Sequence, residues 1–151
     1  MKDLNISTTT TCLIIDGDRY ALDEMESYLT ELPWIVLTGT ATDVRGAREI
    51  LSKNDNVDVV FLGTGACNSH AFEIARELRD RVRCMVFIGD DNESAWRAFQ
   101  VGGDHFLQRP LTRSKLRTTV PTLIIETLQT EDWKVSQKNL WIPLHLDKYS
   151  N

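Results

Sequence analysis

Five short apolar runs, each followed by a stretch of helical spacing, constrain this chain more than any other feature. The middle run, Val57 with Val59 to Leu62, is rich in β-branched residues, follows the polar Asn54-Asp55-Asn56 and leads into Gly63-Thr64-Gly65. A strand that is apolar on both faces is covered on both sides, which is the usual condition in a parallel sheet. The other runs are Thr11 to Asp16, Trp34 to Ala41, Cys84 to Ile88 and the short His105 to Leu107. Helical spacing fills the gaps between them. Leu22, Met25, Leu29 and Leu32 recur at that spacing until Pro33 stops them, and Val44, Ala47, Ile50 and Leu51 follow Thr42 or Asp43 as N-cap. Phe72, Ala75 and Leu78 make a third helix; Ala95, Ala98 and Phe99 make a fourth that Gly102-Gly103 ends; Leu111 to about Leu128 makes a fifth. This alternation predicts an α/β fold, a doubly wound five-stranded parallel sheet with right-handed crossovers and helices on both faces. Pro121, inside the fifth helical pattern, predicts a kink or split near Thr118 to Val120.

The length of 151 residues suits one folded unit with a core of its own. It is expected to run from 11 to 129, after a flexible segment 1–10 and before a tail 130–151. That tail holds Trp133 and the run Leu140-Trp141-Ile142-Pro143-Leu144-His145-Leu146, whose alternation predicts an extended arm; Pro143 excludes it from a central strand. An apolar arm of this kind has to be buried, on its own domain or on a partner.

Cys12, Cys67 and Cys84 are odd in number and have no C-x-x-C spacing, which points to free thiols in a reducing cytoplasm. No signal-peptide pattern opens the chain and no apolar run is long enough to span a bilayer, so no membrane association is expected. A net charge of -5 supplies no footprint for nucleic acid. The cluster Arg76, Arg79, Arg81 and Arg83 is interleaved with Glu77 and Asp80 and is expected to be a solvated helix face.

In an open parallel sheet the functional crevice lies beyond the carboxyl ends of the strands. Gly63 stands there with no side chain. The residues around these ends resemble the receiver domain of bacterial response regulators, in particular receivers attached to LytTR-type DNA-binding domains. The resemblance runs from about Cys12 to Leu116. It is carried by Leu13-Ile14-Ile15-Asp16 with Ala21-Leu22, the spacing from Gly63 to Ala75, the segment Phe87 to Phe99, and Gly102-Gly103-Asp104-His105-Phe106-Leu107-Gln108-Arg109-Pro110. It implies a CheY-like, flavodoxin-like sheet of order 2-1-3-4-5 and a role in two-component phosphorelay signalling. In such domains an aspartate ending the third strand accepts a phosphoryl group. Acids after the first strand hold Mg²⁺, a Thr or Ser after the fourth contacts the phosphoryl oxygens, and a Lys before Pro pairs with them, so catalysis is positioning and charge neutralisation.

This chain departs from that pattern position by position. The acceptor is Gly63, the acidic pair is Asp16-Gly17 with Asp18 next, the hydroxyl position is Gly89 and the lysine is Arg109; Ala66-Cys67 replaces the usual Met-Pro. A pseudo-receiver is therefore expected: not an enzyme, with no cofactor, a metal carboxylate short for Mg²⁺, and without the usual phosphorylation cycle. Arg109, a planar fork of donors, is expected to reach across the site to Asp16 or Asp18. Function then falls to a surface, with Phe106 at the position of the family's switching aromatic and Trp96 on the neighbouring helix, serving a protein partner or a homodimer. The chain is expected to be a stand-alone or truncated regulator that does not itself read DNA. Two alternatives stay open. One is phosphorylation at a non-standard acid, Asp16, Asp18 or Asp90; the other is a small-ligand or anion sensor built on the Gly63 vacancy.

Weaker patterns have simpler explanations. Gly63-Thr64-Gly65 fits an anion loop less well than a turn. Asp90, Asp91 and Glu93 suit the start of a helix. His70, His105 and His145 lack ligand spacing, so no metal site is expected. Cys67 has no basic neighbour in sequence to activate it.

Overall fold

The computed structural model describes residues 9–54, 56–64 and 69–129. Gly65, Ala66 and Cys67, the tail with Trp133 and Leu140 to Leu146, and most of the N-terminal segment lie outside the described residues. Strands and helices alternate as β1 (Thr10–Ile15), α1 (Arg19–Leu29), β2 (Ile35–Ala41), α2 (Val44–Lys53), β3 (Val57–Gly63), α3 (Ser69–Leu78), β4 (Val82–Gly89), α4 (Asn92–Gln100), β5 (His105–Gln108) and α5 (Arg113–Gln129). A short 3-10 turn, Arg79–Arg81, joins α3 to β4. All strand pairs are parallel and the order is β2-β1-β3-β4-β5, as expected.

Successive side chains of the inner strands enter two separate cores. Val59 and Phe61 of β3 and Val86 and Ile88 of β4 pack with Leu22, Met25 and Leu29 of α1 and Leu116, Val120 and Ile124 of α5. Val60, Leu62, Met85 and Phe87 face the other way, against Ala47 and Leu51 of α2, Phe72, Ala75 and Leu78 of α3 and Ala98 of α4. Two covered faces explain why β3 is apolar at nearly every position. Its one acid, Asp58, lies at the amino end, where it accepts from the Thr11 N–H and hydroxyl and meets Arg83 at 3.4 Å. That acid ties β1, β3 and β4 together at the end of the sheet away from the crevice.

Aspartates start three helices. The Asp18, Asp43 and Asp91 carboxylates accept from the N–H groups of Tyr20, Gly46 and Ser94, so α1, α2 and α4 begin at the carboxyl ends of the strands before them. Gly102, at φ +93°, makes the left-handed turn after α4 that a side chain would strain.

Three expectations are corrected. Of the kink or split expected at Pro121, the split does not occur, and α5 continues to Gln129. Leu116, Val120 and Ile124 are buried along one face of that helix, and their packing outweighs the one backbone bond that proline removes. Phe99 does not join the core; it is 42% exposed, and Ala98 is the buried residue of α4. The arginine cluster is not one helix face: Arg76 is exposed on α3 as expected, but Arg79 and Arg81 lie in the 3-10 turn and Arg83 in β4. Arg79 donates to the Gly102 carbonyl and to Asp104, and Arg81 donates to the Leu51 carbonyl. Among the described residues no helix is long and apolar enough to cross a membrane.

Candidate functional site

Parallel pairing brings the ends of four strands to one place. Asp16 follows β1, Gly63 ends β3, Gly89 ends β4 and Arg109 follows β5. Asp16 is held from three sides. Its N–H donates to the Ala41 carbonyl at 3.0 Å, its Oδ1 accepts from the Asp18 N–H at 2.9 Å, and its Oδ2 accepts from Arg109 Nη2 at 3.0 Å. The Asp16 side chain is 3% exposed and that of Arg109 25%. Burial pushes the Asp16 carboxyl above its ordinary range, while the Asp18 N–H and the Arg109 guanidinium act against that rise. Arg109 Nη1 also lies 3.9 Å from Asp90 Oδ1, so one guanidinium faces two acids. Its backbone N–H donates to the Gly89 carbonyl at 2.8 Å, and its bond to Pro110 is cis.

The two glycines sit where neighbouring groups have taken the space. A Cβ built on Gly63 would fall inside the Asp16 carboxylate, nearest Oδ2 and 2.5 Å from Cγ. A Cβ on Gly89 would lie 2.5 Å from Thr64 Oγ1 and 3.0 Å from two carbons of the Phe106 ring. Thr64, itself buried, donates to the Ile88 carbonyl from both N–H and hydroxyl, at 2.8 and 3.2 Å. Phe106 therefore packs inward over Gly89. Trp96, by contrast, is 63% exposed on α4.

Of the residues singled out in the sequence, Asp16, Gly63 and Arg109 meet directly, and Gly89 lies beside Thr64 and Phe106. Asp18 reaches Asp16 only through its N–H, its carboxylate being the cap of α1. Gly17 is exposed and places no carboxylate in the site. Asp91 caps α4 as expected, whereas Asp90 serves Arg109. Thr64 is the participant that sequence reading passed over as part of a turn. The register that pairs Gly63 with Ile88 carries its signal, because it leaves Thr64 next to Gly89. Beside the ion pair, a cleft of about 390 Å³ opens between α1 and the loop before α5, with Glu24, Asp90 and Arg109 on its polar side and Met25, Pro110 and Leu111 on its apolar side.

Among the described residues no group of three His, Cys, Asp or Glu is placed to hold a metal. His105 is buried in the β5–α5 contact, its Nε2 2.7 Å from Thr127 Oγ1. Burial pushes the Cys12 thiol up to about 12, which leaves it protonated and inert at neutral pH.

No protein-family model matches the chain, and no curated protein matches it. Solved structures do. A two-component response regulator from Clostridium difficile is 24% identical with a TM-score of 0.66, over 77% of this chain and 96% of that one. CheY6 bound to the P1 domain of CheA3, from R. sphaeroides, gives a structure match at 21% identity and a TM-score of 0.67, over 78% of this chain and 98% of that one. A CheY-like receiver domain protein from Methanospirillum hungatei JF-1 is 16% identical with a TM-score of 0.64, over 81% and 98%. The chain thus has the fold of response-regulator receiver domains.

Proposed function

We propose that this chain is a pseudo-receiver, a signal-transduction module that works by phosphorylation-independent protein contact. One observation carries the reading: the Asp16 carboxylate, held by Arg109, occupies the space into which a side chain at position 63 would project. Phosphoryl transfer by a receiver needs a carboxylate nucleophile at that point and positive charge gathered around the transferring group. Gly63 supplies no nucleophile, and Arg109 is already committed to Asp16.

The donor set does not fit the Mg²⁺ that the fold family implies. Mg²⁺ takes near-octahedral oxygen ligands, including one or two carboxylates. Asp16 faces a guanidinium, Gly17 and Gly63 bring no oxygen from a side chain, and the Asp18 carboxylate is turned to the start of α1. In this reading the chain is not an enzyme and needs no cofactor.

What it offers a partner is the side of the molecule made by α4 and β5, with Trp96 exposed and Phe106 held inward. The partner is a protein, in keeping with CheY6, whose structure was solved with the P1 domain of CheA3. The chain pairs with a second copy of itself through the same side, and its place is the cytoplasm. The net charge of -5 argues against a nucleic-acid partner.

The test is intact mass after incubation with Mg²⁺ and acetyl phosphate, with peptide mapping of any adduct. The expected result is no added phosphoryl group. An adduct on Asp16, Asp18 or Asp90 would overturn the reading in favour of a receiver that uses a non-standard acid.

A further inference from the structure

We propose that the outer edge of β2 pairs antiparallel with β2 of a second copy of this chain, joining the two sheets across a twofold axis. β2 ends the sheet on the side away from β5, with β1 as its only strand neighbour among the described residues. Its residues, Ile35–Ala41, are uncharged, and no charge occurs anywhere from Leu32 to Thr42. Sheet edges are ordinarily guarded against such pairing by charged side chains, by proline or by being very short. The opposite edge has guards of this kind: β5 is 4 residues long, and Lys115 Nζ donates to its Gln108 carbonyl at 2.9 Å. β2 is 7 residues long and has none of the three.

The backbone groups for this pairing lie on the outer side. The Ala41 carbonyl accepts from the Asp16 N–H, just after β1. Successive residues of a strand turn their backbone groups to opposite edges, so Thr40 presents its N–H and carbonyl outward. Among the described residues no side chain or turn bonds to the backbone of Val36 to Thr40, whereas the Ile35 N–H is taken by the Leu32 carbonyl at 3.0 Å. The edge therefore opens after Ile35, and Val36 on it is 44% exposed. Two features select a second copy as the occupant. A strand without charges meets its own twofold image with no like charges opposite one another, although each chain carries a net -5. The register shift between Cys12 and Leu13 makes Thr38 an extra residue that bends the edge. A copy turned about a twofold near Thr38 bends at the same residue, which a straight peptide does not. One strand pair is a small interface, so this contact is weaker than the one proposed through α4. The inference goes beyond the function proposed above, because it lies at the other edge of the sheet and does not depend on the site chemistry.

The test uses the full chain carrying Trp96→Glu, which removes the contact through α4 and keeps the two outcomes separate. At about 1 mM chain, sedimentation equilibrium is expected to show a reversible dimer. Thr40→Pro deletes an outward N–H and leaves the ladder to β1 whole, while Thr38→Lys sets two ammonium groups against each other. Each is expected to weaken that dimer at least tenfold. In the chain with Trp96→Glu alone, exchange of the Thr40 N–H is expected to slow roughly threefold from dilute to concentrated solution, with β5 unchanged. A monomer at the higher concentration, a dimer that either folded variant leaves intact, or Thr40 exchange independent of concentration would each overturn the proposal.

Discussion

Arg109 and Asp16 show how one pair of residues can set the state of a site. Arg109 is the only cation in hydrogen-bond contact with Asp16 among the described residues, so Arg109→Ala leaves a carboxylate buried without its partner. That change is expected to cost about 2 kcal/mol in urea unfolding, the partial exposure of Arg109 keeping it below the cost for a fully buried pair. Its pH dependence has a definite sign. The folded chain binds the Asp16 proton more tightly than the unfolded chain, because burial raises that carboxyl. The stability it contributes is therefore present below the unfolded carboxylate value and is lost as pH rises through the folded one. Asp16→Asn should remove this fall, and Arg109→Ala should deepen it, since an acid without its cation is raised further. Unfolding curves across the acid range check both. Gly63→Ala is expected to cost about 2 kcal/mol, because its methyl group must displace the Asp16 carboxylate. In a chain that also carries Asp16→Ala that cost should shrink, leaving a coupling of about 1 kcal/mol or more in the double-mutant cycle. Additive effects would show that the two positions do not compete for space. The sequence made Gly63 and Arg109 conspicuous, but not the fact that Asp16 had moved into the gap.

At the scale of elements, the helices show where local rules hold and where packing overrides them. The starts of α1, α2 and α4 were legible because an aspartate cap is a local device, complete within three residues. α5 was legible in extent but not in continuity. Pro121 obeys its local chemistry, removing a bond to the Arg117 carbonyl, yet the stripe of Leu116, Val120 and Ile124 holds both halves to the sheet. Pro121→Ala is expected to raise stability by about 1–2 kcal/mol, the restored bond and lost ring clash outweighing the extra freedom of the unfolded chain. A rise in the urea midpoint at unchanged slope would confirm this; a fall would show that the native backbone at 121 is set for proline. Phe99 fails the other way. Its spacing from Ala95 is that of an inward residue, but Ala98 is the position that faces the core, and Phe99 lies one residue, about 100°, round the helix from it.

For the whole molecule, the proposed function rests on the side made by α4 and β5, where Trp96 is exposed. If the chain pairs with a second copy there, Trp96→Glu should weaken self-association at least tenfold, about 1.4 kcal/mol, in sedimentation equilibrium, since a tryptophan is a frequent anchor of such contacts.

The sequence by itself determined the number, type and order of the elements, because apolar period, caps and glycines are properties of neighbours along the chain. It also determined what the site lacks, since a missing side chain at Gly63 or Gly89 needs no coordinates to be read. Only the tertiary structure decided what fills those gaps. The Asp16 carboxylate beneath Arg109, and Thr64 with Phe106 over Gly89, come from strands far apart in sequence whose parallel register sets them side by side. The physical reason is close packing. Space left by an absent side chain is taken by whichever neighbour the register brings nearest, and that neighbour's identity is written nowhere near the gap.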